Sequence, residues 1–242
     1  MPPKTVHGGH IYEYGGVRYP SVTTILSKTT PPEEYQAIES WRRNFYMPGF
    51  TNADEYVRYT AIRGTIVHYN VLNSVARKLT KIQLDASDIP PYCEWKNRAE
   101  TLMKEVAHCR QLFDNLDLDI SFPFSAESAS YHPEKKYAGT KDLHARIGGV
   151  KTIADLKTSS RVYEKHLIQG AAYYQTENHW KRGAAEQIMI IVLNPKQTKA
   201  IVKIVDNEGS DKDWTLDELV EEFNSRLERF WKIPSVRRDY GI

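Results

Sequence analysis

Residues 137–158 read YAGTKDLHARIGGVKTIADLKT, two strand-like and partly β-branched runs on either side of Gly148-Gly149. A Gly-Gly pair between such runs is a two-residue hairpin signal of the I′ or II′ kind. With those glycines as the loop, Ile147 pairs with Val150, and counting outward puts Asp142 opposite Asp155 and Thr140 opposite Lys157. Directly opposed side chains on an antiparallel pair have Cβ atoms roughly 5 Å apart, and two like charges there destabilise the sheet unless something neutralises them. A divalent cation would do so. Side chains two apart on a strand share a face, so Lys157 projects beside Asp155 while Ala154 and Leu156 point the other way. A D-x-K triplet alone carries little weight, because Glu94-x-Lys96 and Glu134-x-Lys136 are chance triplets of similar form. The register match is what raises this one, and a solvated hairpin with scattered charges is its alternative.

The rest of the chain frames the hairpin. Its 242 residues, 40% of them hydrophobic, suffice to bury a full core, as one compact domain or as an N-terminal hairpin and helical region (1–118) ahead of a core (119–242). The net charge of only +2 means that any nucleic-acid surface must be local. Two cysteines, Cys93 and Cys109, cannot supply the four ligands of an iron-sulfur cluster or a four-cysteine zinc site, and read as isolated reduced thiols, with a disulfide as the alternative. No stretch approaches a membrane span and the first ten residues lack a signal-peptide core, which predicts a cytoplasmic protein, in a host cytoplasm if viral.

Local signals predict the elements. Gly15-Gly16 closes a small hairpin, and Ser21 caps a short helix. Thr30-Pro31-Pro32-Glu33 opens a helix to about Tyr46, Thr51 or Asn52 starts a longer one through Arg77, and another runs from about Pro91 to Leu116. A strand at 120–128, the hairpin, a helix at 163–181, strands at 187–193 and 199–205, and a helix opened by the capping box Thr215–Glu218 complete the chain. The order predicts an α/β core with a central sheet flanked by helices, plus a helical N-terminal elaboration.

Several residues can do chemistry. Gly64 and His68 lie one turn apart on a single helix face, as do Gln169 and Tyr173 on the helix after Lys157. Thr158-Ser159-Ser160 serves either to cap that helix or to hold a phosphate. Trp41-Arg42-Arg43-Asn44-Phe45-Tyr46 interleaves rings with cations, as stacking on unpaired bases with phosphate contact requires, or else is an amphipathic helix with its rings in the core. Glu127 on the preceding strand is either a further acidic member of the site or a solvent-facing charge.

In this order, RGTIVH, GTKD, IADLKT and QGAAYY resemble the motifs of the PD-(D/E)XK nuclease superfamily. The likeness is to its RecB-like exonuclease branch, which takes in CRISPR-associated and mitochondrial genome-maintenance exonucleases and phage and archaeal virus nucleases. It covers about Arg63 to Tyr174, and YPSVTTIL near the N-terminus is similar to the opening segment of several such enzymes. Lys141 stands where the motif name has proline, and the cluster cysteines of the CRISPR-associated members are absent, so no iron-sulfur domain is implied.

The resemblance implies a restriction-endonuclease-like core with a mixed sheet. It implies His68, Asp142, Asp155 and the Leu156 carbonyl as ligands of one or two Mg²⁺ or Mn²⁺ ions, with Glu127 as a further candidate. Lys157 would be the catalytic lysine, and Gln169 and Tyr173 would belong to the catalytic set. The substrate implied is DNA, single-stranded or with a free end, in replication, repair or recombination, with contacts from Trp41, Arg42, Arg43, Arg63, Thr158 and Ser159. A DNA-binding recombination-accessory protein without turnover, a structure-specific endonuclease and an unrelated α/β protein with a charged hairpin are the alternatives.

Overall fold

The structure, a computed structural model, describes residues 4–6, 11–80, 98–208 and 214–240. Glu94, Lys96, Cys93 and the predicted start of a helix near Pro91 lie outside them. Three short strands, β1 (Lys4–Val6), β2 (Ile11–Tyr14) and β3 (Val17–Pro20), form an antiparallel sheet that leads into α1 (Val22–Lys28). The Ser21 hydroxyl caps α1 by accepting the Thr24 N–H at 3.0 Å. Then come α2 (Pro32–Arg43), α3 (Ala53–Thr80) and α4 (Ala99–Asp114). Pro31, not Thr30, is the N-cap of α2, and no side chain caps it. Asn52 does cap α3, its side-chain oxygen accepting the Glu55 N–H at 2.9 Å.

The second sheet is mixed, in the order β4 (Ile120–His132), β5 (Tyr137–Ile147), β6 (Val150–Lys157), β7 (Gln187–Val192) and β8 (Ile201–Val205). Only β6 and β7 run parallel, and α5 (Glu164–Trp180) makes the crossover that a parallel pair needs. The chain ends in α6 (Leu216–Trp231), opened by the Thr215–Glu218 capping box, and α7 (Pro234–Tyr240). This is an α/β fold with a five-stranded mixed sheet between two helical layers.

The alternation of β6 distributes its side chains between the layers. Ala154 and Leu156 enter the core beneath α3 and α4 with Ile66, Val71, Leu102 and Leu112. Ile153 enters the opposite core with Ile25 of α1, Ile168 of α5 and Phe223 of α6. The segments 1–118 and 119–242 therefore share both cores: α1 packs with α5 and α6 on one face, and α3 and α4 cover the other. Cys109 is a buried free thiol that donates to the Leu193 carbonyl at 3.0 Å. Among the described residues no helix is long and apolar enough to cross a membrane.

Candidate active site

Gly148 and Gly149 have φ of 58° and 83°, the two positive values a type I′ turn demands. The ladder follows the counted register from Ile147↔Val150 to Leu143↔Ala154. It stops one step short of the two aspartates. There the Leu156 N–H bonds to Asp142 Oδ2 at 2.7 Å instead of to a strand carbonyl. Lys141 and His144, three apart on β5, both reach Glu177 of α5, so the strand departs from strict alternation at this point. The carboxylate of Asp142 thus lies in the gap where β5 leaves β6.

Two clusters meet at that gap. In the first, the ligand atoms of His68, Glu127 and Asp142 all lie within 4.8 Å of one another, with His68 Nδ1 at 3.5 Å from Asp142 Oδ2. His68 comes from the middle of α3, whose face packs on the sheet. Glu127 has φ of 46°, rare for a side chain other than glycine or asparagine, in a strand where Ala126 and Ser128 keep their partners Leu143 and Lys141. That places Glu127 opposite Asp142 but out of the ladder, in a conformation costing of order 1–3 kcal/mol. In the second cluster, Lys157 Nζ sits 2.6 Å from Asp155 Oδ2 and donates to Gln169 Oε1 at 3.2 Å, while Gln169 Nε2 donates to Tyr173 Oη at 3.2 Å. Asp155 Oδ2 is fully buried, and its contact with Lys157 is an ion pair outside hydrogen-bond alignment.

The electrostatics follow from burial and from these partners. Burial, with the Asp142 charge beside it, pushes the Asp155 carboxyl up to about 6 although Lys157 opposes the change. Burial works against the charge on Lys157, but Asp155 and Asp142 outweigh it and hold the ammonium form. Asp142 is likewise desolvated, yet His68, Lys157 and the Leu156 N–H pull its carboxyl below the usual range. His68 moves upward because Asp142 overcomes its burial.

Glycine has a defined part here. A Cβ on Gly139 would come within 2.5 Å of Tyr173 Cε1, so the glycine of the GTKD motif makes room for the tyrosine of the QGAAYY motif. Gly64 is less constrained, since a Cβ there would meet Thr158 Oγ1 at an ordinary 3.5 Å. Thr140 does not face Lys157 in a ladder pair; its hydroxyl bonds to Tyr12 Oη of the N-terminal sheet at 3.0 Å.

Several of the remaining residues border two clefts that share Lys157. One, of about 590 Å³, is lined by Trp41, Tyr56, Arg63, Thr158, Ser159 and Tyr163 among others. The second, of about 390 Å³, lies between α1, α2 and the start of α5, with Ser27, Glu34, Ile38, His166 and Gln169 in its wall. Helix α2 buries none of its residues and borders both clefts, through Glu34 and Ile38 on one side and Trp41 on the other. Trp41 is 43% exposed and meets Phe45 edge-on at 5.3 Å.

Arg42 is paired with Asp54, and exposed Arg43 lines neither cleft. Arg63 is buried and salt-bridged to Glu105 at 2.9 Å, so its charge is already committed within the wall. Thr158 and Ser159 do not cap α5. Tyr163 is its N-cap, and its N–H is accepted by His166 Nδ1 at 3.2 Å. Leu156 contributes its N–H to Asp142, whereas the motif resemblance implies its carbonyl as a ligand.

Neither Gly139 nor His166 stood out in the sequence. Glu127 could have been placed opposite Asp142 by counting outward from the His132↔Tyr137 pair that closes β4 on β5.

No protein-family model matches the chain. A crystal structure described as a candidate exonuclease from Eubacterium rectale superposes with a TM-score of 0.47 at 12% identity, covering 92% of this chain and 81% of that one. Over 168 residues the chain is 27% identical to mitochondrial genome maintenance exonuclease 1 of Mus musculus, across 66% of this chain and 44% of that protein. The chain thus matches less than half the length of a curated relative whose name is of the class that the four motifs resemble.

Proposed function

We propose that this protein is a divalent-cation-dependent deoxyribonuclease, acting as an exonuclease on DNA with a free or single-stranded end. The observation that carries the reading is the meeting of His68, Glu127 and Asp142 with the buried Asp155–Lys157 pair where β5 leaves β6. Three carboxylates and one imidazole form an oxygen-rich donor set that suits Mg²⁺ or Mn²⁺ better than a structural zinc. The placement fits such an ion. Glu127 bears a strained φ to join the group, and Asp142 and Asp155 crowd two negative charges into buried space. His68, Glu127, Asp142 and Asp155 would hold it, and it would supply Lewis-acid polarisation of the scissile phosphate and a bound water of lowered pKa.

The chain's own groups do the rest. Lys157 is oriented by Asp155 and Gln169, and Gln169 by Tyr173, so the ammonium is held in place before substrate arrives. From there it donates to the attacking water or to the phosphate oxygen where negative charge develops. Burial strengthens that interaction relative to water. Asp142 fixes the imidazole of His68 and ties it to β6 through the Leu156 N–H.

The exonuclease restriction is supported by α2. A strand lying in the larger cleft, with bases against Trp41 and Tyr56, passes Lys157 and enters the smaller cleft beneath a helix none of whose residues is fully buried. A closed circle cannot thread such a passage. Incubation of end-labelled linear DNA and covalently closed circular single strands with Mg²⁺ or Mn²⁺ tests this. We expect linear strands to be degraded and circles to survive; cutting of circles would remove the end requirement and favour a structure-specific endonuclease.

A further inference from the structure

The smaller cleft has a wall group that the reaction at Lys157 does not use. His166 sits in the first turn of α5, is 6% exposed, and lines the cleft together with Lys157, Lys165 and Gln169. Its Nδ1 accepts the Tyr163 N–H, so the neutral ring carries its proton on Nε2. Nε2 has no hydrogen-bond partner among the described residues; the residue as a whole is 6% exposed, but Nε2 is not one of the fully enclosed unpaired atoms and so opens to the cleft. A donor held open at a cleft wall by a ring that is otherwise packed is placed to meet a ligand there.

The surroundings favour an anion, with the Glu34 carboxylate the opposing charge in the wall. The N-terminus of a 17-residue helix presents the positive end of its dipole to the cleft. Lys165 is 48% exposed and its contact with Glu34 is long, at 3.9 Å, leaving its charge available to a ligand. Ser27 and Thr23 add hydroxyls. Arg226 is already engaged by Glu222 at 2.7 Å and Glu164 at 3.5 Å, and acts as wall. His166 stands one turn before Gln169, which touches Lys157; residues so spaced have Cβ atoms about 5–6 Å apart, of the order of one nucleotide step.

We propose that this cleft is a phosphate subsite of the nucleic-acid strand, in which His166 Nε2–H and the Lys165 ammonium bind the phosphate next to the one beside Lys157. The subsite rests on the nuclease reading for its place in the reaction, and on the cleft alone for its anion chemistry. A neutral donor suits it, because burial and the neighbouring Lys157 and Lys165 hold the His166 ring uncharged, near 3. It adds hydrogen bonding without a further buried charge, whose desolvation would be costly.

The test uses the full chain. In the metal-free protein, imidazole ¹H–¹⁵N resonances are followed while 5′-phosphorylated dithymidylate is added. We expect a saturable shift of the His166 Nε2–H resonance; no shift overturns the subsite, whether or not the protein cleaves DNA. Cleavage by His166→Asn, which keeps an acceptor near the Tyr163 N–H but lacks the Nε2 donor, is then compared with wild type. We expect KM to rise roughly tenfold with kcat nearly unchanged, and an unchanged KM also overturns it. If the variant fails to fold, the wild-type titration decides. Absence of cleavage by wild type would instead refute the nuclease reading, and the titration would still decide whether the cleft binds phosphate.

Discussion

Replacing Gly139 by Ala should damage both stability and cleavage, through Tyr173. The new Cβ would lie 2.5 Å from Tyr173 Cε1, 3.2 Å from Cζ and 3.1 Å from Oη. Carbon atoms attract at about 3.5–4.0 Å, so the overlap is about 1 Å. Tyr173 is 3% exposed and packs in the core of α5, which leaves the ring little room to retreat. Gly139 does not have a left-handed φ, so backbone strain does not enter and the penalty is overpacking alone. Overpacking of this kind costs about 1–3 kcal/mol, or several degrees in Tm for a chain of this size. Displacing the ring also displaces its hydroxyl from Gln169, and Gln169 from Lys157. A shift of the order of 1 Å in a positioned group can lower the rate about 100-fold. Thermal melts and single-turnover cleavage of a labelled strand are measured for Gly139→Ala, Tyr173→Leu and the double variant. We expect the leucine to relieve most of the alanine's stability penalty, a strongly non-additive cycle. Wild-type stability and rate in Gly139→Ala, or an equal penalty with leucine at 173, would rule out a steric link between the two positions.

Other outcomes follow from single contacts. Burial opposes the charge on Glu177, but the His144 hydrogen bond and the Lys141 ammonium at 2.7 Å more than offset it and draw the carboxyl down to about 2. A depressed carboxyl stabilises the fold above its ordinary pKa and loses that contribution as pH falls from about 4.5 toward 2, so Glu177→Gln should cost of order 3 kcal/mol at pH 7 and flatten the acid limb of a urea-denaturation series. Parallel pH curves for the two proteins would contradict this. Glu127→Gly, which relieves the φ of 46°, should leave stability unchanged or raised by up to about 1 kcal/mol while abolishing cation-dependent cleavage; a loss of stability with activity kept would place Glu127 outside the site. Trp41→Ala should weaken single-strand binding by about 1–3 kcal/mol in anisotropy titrations without lowering Tm, since the ring is 43% exposed.

The central hairpin was legible because its signals are local. Two glycines that can adopt positive φ set the turn, and the turn sets the register through Leu143↔Ala154. The caps at Ser21 and Thr215 were legible for the same reason, each being a side chain that meets an N–H three residues on. Tertiary pairing obscured the rest. Ala129, Ser130 and His132 have little strand preference, yet ten pairs with β5 carry β4 on to His132. The β5–β6 ladder ends beside Asp142, where Lys141 and His144 both meet Glu177, a contact across 36 and 33 positions that no spacing reveals. His166 is an ordinary polar residue of a helix until its Nδ1 is seen to be taken and its Nε2 open.

Whether the carboxylate and imidazole cluster beside Lys157 is a cation-dependent centre for phosphodiester hydrolysis is decided by one cleavage experiment. Mg²⁺ or Mn²⁺ is added to metal-free wild type and to Asp155→Ala with an end-labelled single strand, and product is followed before and after a chelator. We predict cleavage by wild type that begins with metal and ends with chelator, and none by a folded, DNA-binding Asp155→Ala. Wild type inert in both metals, or Asp155→Ala as active as wild type, would contradict a metal centre built on these residues.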